Sequence, residues 1–146
     1  MAEVYKLGIT GDNNKKIQEV DSIEVVANKG VIGDRHFKDY NDPYCQLSLI
    51  ESENIDYYNT KYGLDISYVD FRRNIITKKI QLNDLIGKNF FIGKVQVEGI
   101  DLCRPCRHLT EMLNQENILK EFIRKGGLRC RILTSSKISV GDKIKI

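Results

Sequence analysis

No apolar stretch in this 146-residue sequence is long enough to span a bilayer. The opening Met1-Ala2-Glu3-Val4-Tyr5-Lys6 lacks the charged segment, apolar run and small-residue cleavage site of a secretory leader. A cytoplasmic protein with no membrane partner is expected. Strong charge of one sign is also lacking: 23 Lys and Arg against 20 Asp and Glu leave a net charge of +3. Nucleic-acid modules concentrate far more basic residues on one face, so a small anionic ligand is expected rather than a nucleic acid. Histidine occurs only twice, as His36 and His108, and cysteine four times, as Cys45, Cys103, Cys106 and Cys130. The close ligand pairs of a structural zinc site are therefore incomplete. In a reducing compartment these thiols are expected to be free, metal-bound or redox-active rather than paired in disulfides. There is no internal repeat, low-complexity tract or linker, and no flavin, iron–sulfur or haem motif.

The length suits one domain, residues 1–146, able to bury a core without staples. Hydrophobic residues at 41% and charged residues at 29% are the balance of a globular protein. Short runs with the period of strands recur along it. They are Val4 to Ile9, then Ile17 to Val26 pairing back across the turn at Thr10 to Asn14, Gln46 to Ile50, Leu64 to Val69, Asn74 to Thr77, Phe90 to Ile92 and Val95 to Val97 around Gly93-Lys94, Leu128 to Leu133, and Lys137 to Ile146. Helices are expected from Glu51 to Tyr62 with Gly63 as its C′ residue, from Pro105 to about Met112, and from Asn117 to Arg124 with a stop at Gly126-Gly127. Leu82 to Gly87 reads as one helical turn capped by Asn83. Mostly β with a few short helices (α+β) is the expected class, and a closed barrel its architecture, because closure removes sheet edges.

Cys103-Arg104-Pro105-Cys106 is a C-x-x-C, a spacing open to a redox pair, half of a zinc site or two incidental thiols. A thioredoxin-like reading needs a βαβ setting, which the many short strands and the lack of a clear crossover helix do not offer. If Pro105 opens a helix, Cys106 sits in its first turn, where free backbone N–H groups and the dipole favour a thiolate. Arg104 and Arg107 reinforce that effect. Cys106 is thus expected to be a soft-metal ligand or nucleophile, whereas Cys45 and Cys130 read as buried small hydrophobes. Ala27 to Pro43 has little periodicity and reads as an ordered loop. Within it, Gly30 and Gly33 would let backbone approach an anion, Arg35 offers a bidentate fork and His36 a donor. The same Gly-x-x-Gly-Asp-Arg-His also reads as a turn with a structural Asp34–Arg35 pair. Arg72, Arg73 and Asn74 are further candidates for gripping an anion, against a solvated-surface reading. Arg129 and Arg131 share one strand face. His108 reads as solvent-facing or capping, and Glu51 and Asp34 as possible proton donors.

Five segments in order resemble the MOSC family of molybdenum-cofactor proteins. They are Gly30-Val31-Ile32-Gly33-Asp34-Arg35-His36, Arg73-Asn74-Ile75, Leu85-Ile86-Gly87-Lys88-Asn89-Phe90-Phe91-Ile92-Gly93, Pro105-Cys106-Arg107-His108-Leu109, and Ile138-Ser139-Val140-Gly141-Asp142. The resemblance implies a MOSC-type closed β-barrel and a pterin cofactor, molybdopterin, whose dithiolene sulfurs hold molybdenum and whose tail carries a phosphate. It implies Cys106 as the catalytic residue and molybdenum ligand. Gly30, Gly33, Asp34, Arg35, His36, Arg73 and Asn74 are implied as cofactor-binding residues; Arg72 does not match the family pattern. The implied activity is an oxidoreductase that reduces N-hydroxylated compounds by oxygen-atom transfer, with electrons from a donor protein. The alternative is a sulfur or molybdenum-cofactor carrier delivering to a molybdoenzyme through Cys106. A metal-free or zinc-bound structural module is a third reading. No pyridoxal-phosphate domain of the family's sulfurases is evident, nor the extra N-terminal domain of its longer reductases.

Overall fold

A computed structural model describes residues 1–12, 15–104 and 107–146 of the chain. The expected turn residues Asn13 and Asn14, the helix-opening Pro105 and the candidate ligand Cys106 lie outside the described residues.

Strands form where short apolar alternations lie between turn residues. β1 (Glu3–Ile9) and β2 (Gln18–Val20) form the expected antiparallel hairpin, with Leu7 opposite Val20. β3 (Ser22–Val26) pairs with β4 (Gly30–Val31) and with β10 (Ser136–Ser139) in a small three-stranded sheet. The main sheet adds β5 (Leu47–Glu51), β6 (Ile75–Lys78), β7 (Asn89–Ile92), β8 (Val95–Leu102), β9 (Leu128–Ile132) and β11 (Ile144–Lys145). Its order is β11-β7-β8-β9-β5-β6-β1-β2. β5 and β6 are parallel and are joined through α1 (Ser52–Tyr62), the expected helix, whose role as a crossover between strands the sequence reading did not find. Gly63 ends α1 as expected, with φ 63° and its N–H on Asn59 O. Two shorter helices follow β8: α2 (Arg107–Leu113) and α3 (Ile118–Glu121). The second covers only the middle of the expected Asn117 to Arg124 span.

The fold is mostly β with a few helices, but the sheet is a curled half-barrel rather than the closed barrel expected. β1 explains why. Its outer edge is occupied by β2 from Leu7 to Ile9, so only its first residues remain to meet the C-terminal segment. There Glu3 bridges Lys143, Val4 N–H donates to Asp142 O at 2.9 Å and Ile144 N–H to Ala2 O at 3.0 Å. β11 is two residues long and cannot extend that seam.

Leu64 to Val69 is a second correction. It is extended and then turns into a 3-10 helix, Tyr68–Phe71, instead of pairing in a sheet. The Asn59 amide takes the place of a strand partner: its Nδ2 donates to Ile66 O at 3.0 Å and its Oδ1 accepts Ile66 N–H at 3.1 Å. Leu82–Leu85 is the expected helical turn, also 3-10, but Asn83 does not cap it. Its Nδ2 donates to Arg124 O at 2.9 Å.

Two cores result from strand alternation. Val4, Leu7, Leu49, Ile75, Phe90, Val97 and Leu128 fill the concave side of the curl. Ile50 and Ile76 point the other way, onto Ile55 and Tyr58 of α1, Leu109 of α2 and Ile118 of α3, with Phe71 and Phe122 between them. No helix among the described residues is long and apolar enough to cross a membrane.

Candidate functional site

Pairing in the sheet brings one end of four strands together. Ser48 on β5 lies opposite Arg129 on β9, and Arg129 lies opposite Asp101 on β8. Arg72, Arg73 and Asn74 lead into β6 beside them, and the loop between β4 and β5 folds over the top. A cavity of about 230 Å³ opens at this corner. Arg35, His36, Tyr44 and Cys45 come to it from the loop, Arg72, Arg73 and Asn74 from the start of β6, and Cys103 and Arg104 from the end of β8. Leu47, Ser48 and Arg129 complete the wall. Five of these residues are arginines and none is a carboxylate, so the cavity has the potential of an anion site.

Four of the five arginines, Arg35, Arg72, Arg73 and Arg129, are held by backbone or by an acid behind the wall. Asp34 is buried; its Oδ1 accepts Thr10 N–H at 3.1 Å and lies 3.6 Å from Arg35 Nη1, while its Oδ2 accepts His36 N–H at 3.4 Å. Asp34 thus builds the structural turn weighed for this motif, and Arg35 from the same turn enters the cavity. Arg35 Nη1 is buried without a hydrogen-bond partner, and Arg35 Nη2 reaches Arg72 O at 3.5 Å. Burial, followed by the nearby Arg72 and Arg73 charges, lowers the Arg35 pKa against the pull of Asp34. Arg73 Nε donates to Gly126 O at 2.9 Å, and Arg72 Nη1 to Lys15 O at 2.7 Å. Arg129 is held bidentately by Asp101, at 2.6 Å on Nε, and its guanidinium lies 5.4 Å from the Tyr44 ring centre.

Of the residues implied to bind a cofactor, Arg35, His36, Arg73 and Asn74 come together in one wall. Gly30 and Gly33 are not lining residues. Gly30 has φ 131° and a Cβ there would lie 3.3 Å from Phe37 Cα, so its close backbone approach is to the chain itself. Glu51 sits at the start of α1 outside this cavity, its pKa raised by burial. Arg131 pairs with Glu98 at 3.2 Å and stays out of the cavity that Arg129 enters. His108 is exposed on α2.

Other positions, Arg72 among them as a residue weighed between an anion grip and a surface charge, differ from their sequence reading or go beyond it. Arg72 is 6% exposed with φ 67°, a left-handed position that aims it inward instead of onto the surface. Cys45 is a half-buried turn residue in the cavity wall rather than a hydrophobe in a strand. Gly127 is more than a helix stop: at φ 110° its missing Cβ lets the chain pass against Leu49 O. Its carbonyl accepts Cys103 N–H at 2.7 Å, which fixes the end of β8. Cys130, by contrast, is fully buried, as expected.

The thiols here are not poised as thiolates. Burial raises the Cys103 pKa, with Arg73 and Arg129 opposing it, and burial together with Asp42 raises that of Cys45. His36 is pushed below the usual imidazole value by burial and then by Arg35, so it is neutral near pH 7. Among the described residues no three His, Cys, Asp or Glu side chains converge as metal ligands.

A cavity of this kind is testable as an oxyanion site. Arg35→Gln is expected to weaken inorganic phosphate binding by about 2 kcal/mol, roughly thirtyfold, the worth of a hydrogen bond to a charged group. Calorimetric titration reads that change.

A mostly-β domain with an arginine-lined cavity at one corner of a curled sheet is the class these features define. The family model for the MOSC domain matches residues 33–145, and the chain belongs to that family. The fold also matches solved structures. The YuaD protein of Bacillus subtilis superposes with a TM-score of 0.83 at 17% identity, over 98% of this chain and 93% of that one. YiiM from Geobacillus stearothermophilus gives 0.79 at 16% identity, over 99% and 74%. YiiM from Escherichia coli gives 0.70 at 18%, over 99% and 67%. No curated protein sequence gives a significant match.

Proposed function

We propose that this MOSC domain binds the molybdenum cofactor and reduces N-hydroxylated compounds by oxygen-atom transfer, with Cys106 as the metal ligand. The observation that carries the reading is the wall of five arginines, with no carboxylate among its described residues. That donor set fits the phosphate tail of molybdopterin, a cofactor associated with the family. The same wall contains Cys103 and Arg104, the two residues that precede Pro105-Cys106 in the chain.

When bound, the cofactor supplies a metal that cycles between two-electron states and exchanges one oxygen atom. The chain's own part is binding and orientation. Arg35, Arg73 and Arg129 hold the anionic tail, and Asn74 fixes the strand entry that carries Arg73. Gly30, Gly33 and Asp34 set the loop from which Arg35 and His36 project. Burial favours the thiol form of Cys103, and Cys106 is the sulfur ligand of this reading. His36, neutral and half-exposed at the cavity, can donate one hydrogen bond and accept another. Electrons come from a donor protein.

Among the described residues the cavity wall contains no carboxylate to move a proton. That favours a second reading, a carrier in which Cys106 bears sulfur or cofactor for a molybdoenzyme. Turnover separates the two. Protein made in a cofactor-competent host, given an artificial electron donor, is expected to convert an amidoxime to its amidine and water with two electrons and two protons. Molybdenum-loaded protein that fails to turn over, while carrying a reductant-labile sulfur on Cys106, establishes the carrier instead.

A further inference from the structure

After α3 the chain turns outward before it enters β9. Phe122 is buried, whereas Ile123, Arg124 and Lys125 are exposed in succession, Ile123 at 63%. Arg124 has φ 60°, a left-handed position uncommon for a residue other than glycine or asparagine, and Asn83 Nδ2 pins its carbonyl at 2.9 Å. These three residues form a fixed ridge with a groove on either side. Ile123 and Arg124 border both grooves, one reaching Cys103 and Arg104, the other, of about 300 Å³, lined also by Asn54, Gln81 and Asn83. Tyr57 of α1, 53% exposed, extends the ridge: Lys125 Nζ lies 4.9 Å from its ring centre and Lys61 Nζ 5.9 Å.

The ridge is tied to the candidate site by the next two residues. Gly126 and Gly127 follow Lys125, and their carbonyls accept Arg73 Nε–H at 2.9 Å and Cys103 N–H at 2.7 Å. A protein resting on the ridge thus stands beside the backbone that holds the anion cavity. The charge of the surface selects among partners. The ridge carries two cations and no acid, and Lys61 is paired with Glu121 at 3.1 Å. On the α1 side the acids are Glu51, half-buried, and Asp84; on the cavity side the five arginines of the wall set the sign. An exposed isoleucine and tyrosine ringed by cations complement a partner with an apolar contact inside an acidic rim.

We propose that the ridge Ile123-Arg124-Lys125, with Tyr57, is the docking surface for a small acidic electron-carrier protein. The inference deepens the reductase reading by locating its electron donor, and it rests on that reading for the partner's role alone. The chain has no flavin, iron–sulfur or haem motif of its own, so both electrons of each turnover enter from outside. The surface is small, which suits transient redox encounters that bury less than about 1,200 Å² in total. Attraction between opposite charges speeds such encounters and fades as salt rises.

Two acidic carriers serve as probes, flavodoxin and a plant-type ferredoxin. At low salt, at least one is expected to shift the amides of Tyr57, Ile123, Lys125 and Gly126, and to lose affinity as salt is added. Lys125→Glu is expected to weaken that binding at least about tenfold while leaving the unfolding midpoint and inorganic phosphate binding unchanged. Lys137→Glu, the same charge change at an exposed position on β10, is expected to have no effect. Failure of both carriers to bind, shifts confined to other surfaces, or equal weakening by the two substitutions overturns the docking surface. If a carrier docks as described but amidoximes are not reduced with either the carrier or dithionite as donor, the surface stands and the reductase reading falls. Turnover with dithionite but no binding of either carrier gives the reverse.

Discussion

Asn74→Ala is expected to destabilise the domain by about 3 kcal/mol, lowering Tm by roughly 6–12 °C for a chain of this size. Asn74 is 3% exposed and ties three strands together. Its Nδ2 donates to Gly8 O on β1 at 3.2 Å, and its Oδ1 accepts Ser48 N–H and Oγ–H on β5 at 3.2 and 3.3 Å. Its own N–H donates to Ser48 Oγ at 3.2 Å, and its carbonyl accepts Gly8 N–H at 2.8 Å. Alanine keeps the two main-chain bonds and removes the side-chain ones. Ser48 N–H then loses this acceptor inside the protein, a cost of about 1–3 kcal/mol beyond the lost bonds themselves. Because Arg72 and Arg73 immediately precede Asn74, phosphate affinity falls with stability. Urea denaturation of the variant, with an unchanged m-value, measures the first effect. Arg104→Ala, at an exposed position of the same wall, is expected to leave the midpoint where it is.

Most strands were legible because their apolar residues are buried, on one face in β8 and β9 and on both in β5 and β6. β1, β5, β6, β8 and β9 all show apolar residues at positions that the structure buries. α1 was legible from its Gly63 stop. What local patterns did not contain was competition for partners. Leu64 to Val69 has the composition of a strand, but the Asn59 side chain satisfies Ile66 before any neighbouring strand reaches it. Closure of the sheet failed for the same kind of reason, since β2 occupies the edge of β1 that closure needs.

The candidate site was half legible. Arg35, His36, Arg73 and Asn74 sit in motifs and meet in one wall. Cys45 stands alone between Tyr44 and Gln46 with no spacing partner, and only the fold brings it to Cys103 and Arg129. Arg72 looks like surface charge until its left-handed backbone is seen. Asp101 carries no motif either; its meaning comes from standing opposite Arg129 across two strands. Gly126-Gly127 signals a helix stop in sequence, and its use as the acceptor pair for Arg73 and Cys103 is a tertiary fact.

We propose that Cys106, two residues along the chain from Arg104 in the arginine wall, holds the metal of a pterin cofactor. A thiolate ligand has no equivalent in serine, so the expected effect of Cys106→Ser is near-complete loss of metal, larger than that of any single arginine. Arg35→Gln only loosens the tail by about thirtyfold. The most direct test is metal and pterin analysis of parent and Cys106→Ser protein, both purified from a cofactor-competent host and both checked for a native unfolding midpoint. The account predicts molybdenum with bound pterin in the parent and neither in the variant. Zinc without pterin in the parent, or molybdenum retained by Cys106→Ser, contradicts it.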